Sequence, residues 1–508
     1  MRVAQWARKR PQLAVTLLSA LLFGLVAHGM GLLNKFSSHD DIVSLFELGT
    51  TISSGRWMLH VMDWLETILF GPGHFSLPLT HGLFSLLCIA LAACLVVDLL
   101  GLKNLGCCAG LAGIMVAFPA IAGLFGYMYT LPYYALALLM MTLCGWLLCK
   151  GKGWGKLLAI ALGCCSVGVY QAFLPLLLSL PLLYDVSILL NGEGELKSFF
   201  RLAAMQVACM LGLMVCYFAA TRFFLAKFHL ELNSYMGIDQ MGSTSLGTYL
   251  LRAAQAYREF FWPQRNGIAD VFPMHLFYLS RGMVLLDGVF ALRLLLQKGK
   301  QRLSVALLLA LLLGLMPLAC NLIYVMAGTV HGLMTYGQVM QAALFLLLAE
   351  RQEFRWPGIQ RGVRGFAATL LGLACVMYAR YDNQCYLKTN FQQQQAISWM
   401  TTLATQIKST EGYRDDLPVA FMNQEQISDQ TLYHMQELDF ILLTPYDGTL
   451  GDYLNSYGWR KFMERWCGFS PAYANEALYE NLPEVQAMPH YPDDGSIQKL
   501  GEVIVVNF

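Results

Sequence analysis

Apolar runs separated by short polar intervals dominate the chain from residue 12 to residue 379. A helix rises about 1.5 Å per residue and a bilayer's hydrocarbon core is about 30 Å thick, so about 20 apolar residues cross it. Runs of that kind occur at Gln12–Leu33, Leu77–Leu100, Leu105–Phe125, Leu131–Cys149, Ala203–Leu225, His275–Leu296, Leu303–Met326, Leu333–Ala349 and Phe366–Tyr378. One further run, Leu157–Leu190, spans 34 residues, too many for one comfortable crossing, and basic residues flank it on both sides, Lys150, Lys152 and Lys156 before it and Lys197 and Arg201 after it. It predicts two short helices that turn near Gly168-Val169-Tyr170-Gln171, with Pro175 stiffening the return. The whole pattern predicts about eleven membrane helices.

The basic residues give these helices a direction. Arg2, Arg8, Lys9 and Arg10 precede the first run, which is too long for a signal-peptide core and ends without a small-x-small cleavage site. It reads as an uncleaved helix with its N-terminus in the cytoplasm. Counting crossings puts Lys150, Lys152 and Lys156, then Lys197 and Arg201, Lys298, Lys300 and Arg302, and Arg351, Arg355, Arg361 and Arg364 on that same side. The loop after the first helix, the turn at residues 168–171, a long loop from Phe228 to Pro273, a short one from Gly328 to Gly332 and everything after Arg380 fall on the opposite, outer side.

After Arg380 the chain turns polar, with a helical stretch containing Gln392–Gln395 and short apolar segments at Pro418–Met422, Phe440–Leu443 and Val503–Val506. Strand-length runs alternating with helical ones predict a small α/β domain. The expected architecture is therefore a polytopic α-helical membrane protein, with a transmembrane domain at residues 1–379 and an extracytoplasmic α/β domain at 380–508.

Composition agrees and removes several functions. A chain that is 56% hydrophobic and 13% charged is no ordinary soluble globule, and a net charge of +1 without a sustained basic face argues against nucleic acid as a partner. P-loop, GxGxxG and G-x-S-x-G patterns are absent, so nucleotide-driven pumping and hydrolase chemistry lack support. The 14 cysteines lie mostly in apolar runs, including Cys107-Cys108 and Cys164-Cys165, without CxxC spacing, and read as small core hydrophobes. Cys385 and Cys467 fall in the polar tail, where a disulfide stays open.

Candidate chemistry centres on Asn34 to Trp57. Asp40 and Asp41 stand where the first helix emerges, and carboxylates next to lipid are costly unless solvated, paired or used. Either they do proton-transfer work, or Ser38 and Asp40 cap a helix starting at Ile42. Arg56, beside Trp57, suits a phosphate oxygen through its planar fork, or anchors in the headgroup belt. Tyr249 to Arg265 has the spacing of an amphipathic surface helix, on which Arg252, Arg258 and Arg265 face either a lipid-linked phosphate or the membrane interface. Tyr129, Tyr133 and Tyr134 around Pro132, with Tyr170 and Gln171, offer stacking surfaces and an amide suited to sugar, or form an aromatic belt. His331 is a loop histidine or a site residue. Two adjacent carboxylates also leave a divalent cation open, although nothing else completes a metal site.

The first helix followed by Asn34 and Asp40-Asp41, then Gly55-Arg56-Trp57, Tyr129-Thr130-Leu131-Pro132-Tyr133 and the Tyr170-Gln171 turn, resembles the bacterial glucosyltransferase II (Gtr-type) family over roughly the first 350 residues. The resemblance implies a GT-C type integral membrane glycosyltransferase of the inner membrane. Such an enzyme takes a hexose, typically glucose, from a polyprenyl-phosphate donor and adds it to an envelope glycan, such as an O-antigen, on the outer face. It also implies an essential acid in the first outer loop, a role that falls on Asp40 or Asp41. Arg56, Trp57, Tyr129, Tyr133, Tyr170, Gln171, Arg258 and His331 are the candidates for holding substrate. A glycan ligase or polymerase, which needs a pyrophosphate-linked oligosaccharide, is the nearest alternative. A lipid-linked sugar flippase is the other, although a transporter would be expected to show repeats, broken helices and charges near the bilayer centre, whereas the apolar runs here carry few mid-span charges and the polar material collects on one face. Replacing Asp40 and Asp41 separately with Asn is expected to abolish transfer in at least one variant without loss of folded protein.

Overall fold

The computed structural model describes residues 7–37, 40–49, 51–192, 196–233, 245–262, 274–327, 330–424, 435–443, 445–446, 454 and 458–508. The chain opens with α1 (Pro11–Leu33), the four-residue α2 (Asp40–Val43), α3 (Trp57–Phe70), α4 (Pro78–Leu100), α5 (Leu105–Ala117) and α6 (Pro119–Phe125). Next come α7 (Leu131–Lys150), α8 (Trp154–Val169), α9 (Leu174–Asn191), α10 (Leu196–Phe228) and the amphipathic α11 (Leu246–Phe261). The membrane part closes with α12 (Met274–Gln301), α13 (Leu303–Cys320), α14 (Leu322–Met326), α15 (Val339–Glu350) and α16 (Pro357–Ser409). Proline stands in the first turn of α1, α4, α6, α7, α9 and α16, where its missing N–H has no helical partner to lose and its fixed φ suits helix entry.

Among the described residues, nine segments are long and apolar enough to cross a membrane: α1, α4, α5 with α6, α7, α9 with the turn before it, α10, α13, α15 with the turn before it, and α16. The other two expected positions hold α8, shorter at 16 residues, and α12, which carries Arg281, Asp287 and Arg293. The chain is a polytopic helical membrane protein. Between α8 and α9 the backbone breaks at Tyr170 (φ −154°, ψ 109°) and runs through a 3₁₀ turn at Gln171–Phe173, so the long apolar run does fold back at the expected place.

Three expectations change, and the open question of a disulfide in the tail is answered. The helix anticipated at Phe366–Tyr378 is part of α16, which is 53 residues long and passes residue 380 unbroken, because neither Gly nor Pro occurs between Gly372 and Gly412 to stop it. The run Leu303–Met326 is two helices separated at Asn321, four residues after Pro317. Phe440–Leu443 is not a strand: Ile441 and Leu443 are buried in the core of the helical bundle, and Lys388 donates to the Ile441 carbonyl at 3.4 Å. Cys385 and Cys467 are both free thiols, Cys385 buried within α16. Ser38, Arg265 and residues 234–244 and 263–273 of the loop from Phe228 to Pro273 lie outside the described residues.

The tail contains β1 (Val419–Met422), α17 (Trp459–Cys467), the short α18 (Pro483–Gln486), β2 (Ile497–Leu500) and β3 (Val503–Asn507). The three strands form a sheet in the order β1-β3-β2, with β3 parallel to β1 and antiparallel to β2. Central β3 is buried along its whole length. Val419, Phe421, Ile504 and Val506 pack with Met400, Leu403, Trp459 and Phe462 of α16 and α17, while Ala420, Met422, Val503 and Val505 face Val485 and Met488. Covering both faces explains the unbroken apolar run of β3.

At one end of the bundle charged and polar side chains lock helix termini. Glu350 accepts from the backbone N–H of Lys103 (3.1 Å) and Asn104 (2.9 Å) at the start of α5, and Arg351 donates to the Leu100 carbonyl at 3.1 Å. Lys150, in the last turn of α7, pairs with Asp98 at 2.9 Å. Within the bundle small residues let helices approach. A Cβ on Gly163 of α8 would lie 2.0 Å from Leu213 Cδ1 and 3.0 Å from Cys144 Sγ, whereas one on Gly212 would meet Ile160 at an ordinary 3.6 Å. Gly163→Val should therefore cost about 1–3 kcal/mol by overpacking, and Gly212→Ala much less, read as thermal denaturation in detergent; equal melting temperatures would contradict this packing.

Candidate active site

Asp41 is fully buried, and its carboxylate is surrounded by donors from three separate segments. Lys35 forms an ion pair with Oδ2, and Ser37 donates to the same oxygen at 2.8 Å. Ser76, just before α4, donates to Oδ1 at 3.0 Å, and the Tyr129 backbone N–H, just before α7, donates at 3.2 Å. Lys35 also donates to Ser76 Oγ (3.1 Å), and the Gln393 side chain of α16 holds the Lys35 carbonyl (3.1 Å). Asp40, one residue earlier, is only half-buried. Adjacent helical residues point in directions about 100° apart, so the two carboxylates leave α2 on different sides, although both act on the Tyr129 phenol.

Arg56 forms the second part of the site. The chain reaches it through Gly55, whose φ of +73° is left-handed and where a Cβ would sit 2.5 Å from the Tyr217 hydroxyl. Arg56 donates to the Tyr134 hydroxyl (3.3 Å), and its guanidinium lies 5.3 Å from the centre of the Tyr170 ring. Tyr134 and Tyr170 stack at 4.5 Å. Gln171 donates to the Ser54 carbonyl (2.8 Å) and to Tyr217 (3.1 Å), so the α8–α9 turn supports the Arg56 loop from below. Trp57 is nearly buried, stacked on Phe224 at 5.3 Å and closed off by Gly168. Tyr170, Gln171 and Trp57 thus hold Arg56 in place by packing rather than presenting open faces.

The two parts meet at Tyr129. This residue is half-buried, yet its phenol is enclosed, and desolvation pushes it well above the ordinary tyrosine value. Tyr134, Asp40 and Asp41 raise it further and Arg56 lowers it, so all four groups act on one phenol. On the other flank Tyr133 donates to Glu66, which also binds His74 Nδ1 at 2.9 Å; the His74 and His81 rings are 6.1 Å apart. Glu66, His74, Lys35, Ser76 and Tyr217 were not among the sequence candidates. Lys35 alone had a signal, a cation six residues before Asp41 in the same stretch.

Arg258 and His331 are carried by other elements. Arg258 pairs with its neighbour Glu259 at 3.0 Å on α11, which packs against α13 and α14 and exposes Leu246, Leu250, Leu251 and Trp262 as an interfacial helix does. His331 begins the 3₁₀ turn Gly332–Gln338, which packs on α6 and on the Gln171–Phe173 turn. Among the described residues no three His, Cys, Asp or Glu side chains come together as a metal centre. The donor set around Asp41 does not fit a cation, since its oxygens already accept from Lys35, Ser37, Ser76 and Tyr129.

A helical bundle of this size, with a half-buried carboxylate, an arginine and tyrosines gathered where several helices end, defines an integral membrane protein with a polar site at one end of the bundle. The family model described as glucosyl transferase GtrII matches residues 29–347, a stretch that contains every candidate site residue. The chain belongs to that family and is a glycosyltransferase. No curated protein and no solved structure matches it.

The geometry separates the aspartates. Asp41→Asn removes the negative charge that Lys35 and three other donors surround, and Lys35→Met leaves that charge uncompensated. Lys35 is 27% exposed, so each change should cost about 2–4 kcal/mol, less than for a fully enclosed pair. Asp40→Asn, at the less buried carboxylate, should lower the melting temperature in detergent less than Asp41→Asn does. A stable Asp41→Asn protein would refute the structural role.

Proposed function

We propose that this glycosyltransferase moves glucose from a polyprenyl-phosphate carrier to an envelope glycan at the outer face of the bacterial cytoplasmic membrane. The observation that carries the reading is that half-buried Asp40 and Arg56, the latter bonded to Tyr134 and lying over the Tyr170 ring, both act on the phenol of Tyr129, whose own backbone N–H is held by Asp41. In this reading Asp40 takes the proton from an acceptor hydroxyl, whose oxygen attacks the anomeric carbon. The bond to the lipid phosphate breaks, its electron pair leaving with the phosphate, and Arg56 balances the charge that develops there. One displacement inverts the anomeric centre. The donor is already activated as a phosphate ester, so no nucleotide site is needed. Tyr129 and Tyr133 line the sugar position, Arg258 faces the lipid-linked phosphate from the interfacial α11, and His331 lies at the margin.

The same proposal divides the chain into a transmembrane transferase part, residues 1–379, and an extracytoplasmic part, residues 380–508, with α16 running through both. The N-terminus is then cytoplasmic. A tag at the C-terminus of the intact chain should be cleaved by protease added to spheroplasts; cleavage only after lysis would reverse the orientation.

The enzyme test uses purified protein in liposomes with polyprenyl-phosphate-glucose and an envelope glycan. Wild type should add single glucose residues. Asp40→Asn should lower transfer by at least about 100-fold with folded protein retained, within the 10²–10⁴-fold typical of losing a general base. Arg56→Met should lower it as well, with a weaker donor KM. Activity only with a pyrophosphate-linked oligosaccharide would favour a ligase or polymerase, and an Asp40→Asn enzyme with full activity would remove Asp40 from the mechanism.

A further inference from the structure

The tail lies outside the family match, which ends at residue 347, yet it grips the loop that carries the two aspartates. Arg465 of α17 donates from Nη1 to the carbonyls of Ile42 (2.6 Å) and Val43 (3.1 Å), the last two residues of α2. The last carbonyls of a helix have no partner within it, and a cation is the natural group to satisfy them. The same guanidinium sits 5.0 Å from the centre of the Phe46 ring. Ile42 is fully buried, and it belongs to the tail's own core with Phe421, Phe462 and Met400, the last on the C-terminal part of α16.

From these contacts we infer that Arg465 is a positioning residue for the transfer reaction, holding α2 so that Asp40 faces the substrate. The inference rests on the reading of Asp40 as the base. Asp41 ties the front of α2 to the bundle, and Arg465 with Ile42 ties its back to the tail. Asp40 therefore sits on a one-turn helix held at both ends. Loss of the rear hold lets the helix swing, and a shift of about 1 Å in a reacting group can cost about 100-fold in rate.

Arg465→Met keeps an apolar stem against Phe46 but removes both donors; Arg465→Lys restores a charged donor. In the liposome assay Arg465→Met should lower kcat about 10- to 100-fold while donor KM stays within about threefold, and Arg465→Lys should recover most of the loss. Hydrogen exchange read on the same samples should quicken at residues 40–46 and stay unchanged at 396–407 and 503–507, because a general loosening of the tail would speed all three. Arg465→Gln replaces Arg465→Met if the latter does not accumulate. Wild-type kcat, or unchanged exchange at 40–46, would overturn the inference, as would exchange that rises equally throughout the tail. Asp40→Asn is assayed in parallel. If it is inactive while Arg465→Met is fully active, only the positioning role fails. If Asp40→Asn is itself active, the base assignment fails and the exchange data alone decide whether Arg465 holds α2.

Discussion

A carboxylate removed from water is stable only if every donor around it is in place, and Asp41 is such a group. Its partners come from the stretch just after α1, from Ser76 shortly before α4 and from the backbone just ahead of α7. Three connections that are far apart in sequence are therefore fixed relative to one another by one side chain. The Arg56 loop, the Tyr133–Glu66–His74 group and the enclosed Tyr129 phenol all hang on the helix ends that Asp41 draws together. Breaking one donor leaves the rest facing an uncompensated charge, so the cost is cooperative.

The two ends of the bundle solve different problems with similar groups. At one end Glu350, Arg351, Lys150 and Asp98 tie helix termini to each other, satisfying backbone groups that lipid cannot. At the other end charges converge on a shared space: Asp40, Arg56 and Tyr129 interact, and the helices that bring them stop short or break, as α8 does at Tyr170. Irregular backbone at that depth is tolerated because it is covered by protein, here by the 3₁₀ turn Gly332–Gln338 and by Tyr446, which donates to the Ala122 carbonyl at 2.9 Å.

Much of this was legible in the chain because membrane burial is a one-dimensional signal. Apolar length alone locates α1, α4, α7 and α10, and basic flanks show that Leu157–Leu190 must turn back. Proline and glycine mark where helices start and stop, and their absence after Gly372 is why α16 overran its expected end. Phe440–Leu443 misled for a related reason. A four-residue apolar run has no period long enough to tell a strand from a plug, and whether Ile441 and Leu443 bury in a sheet or on a helix bundle depends on which surface is near. The Glu66–His74–Tyr133 group was illegible because its members are 8 and 67 residues from Glu66 and meet only after α3 and α7 pack.

The adjacent acids show the limit of reading a motif as a unit. Two neighbouring carboxylates suggest a pair that shares a substrate, a proton or a cation. A single turn of helix gives them different surroundings, since consecutive side chains leave the axis about 100° apart, although both act on the Tyr129 phenol. Asp41 is the buried hub, and Asp40 is the more exposed of the two. The pairing that matters is one of division: a buried acid whose partners hold the loop, and a more accessible one whose direction is set by how firmly that loop is held. The grip of Arg465 and of the tail core on Ile42 supplies the second half of that restraint. A proposed base on a four-residue helix has little rigidity of its own, so its precision has to come from contacts on both sides of it.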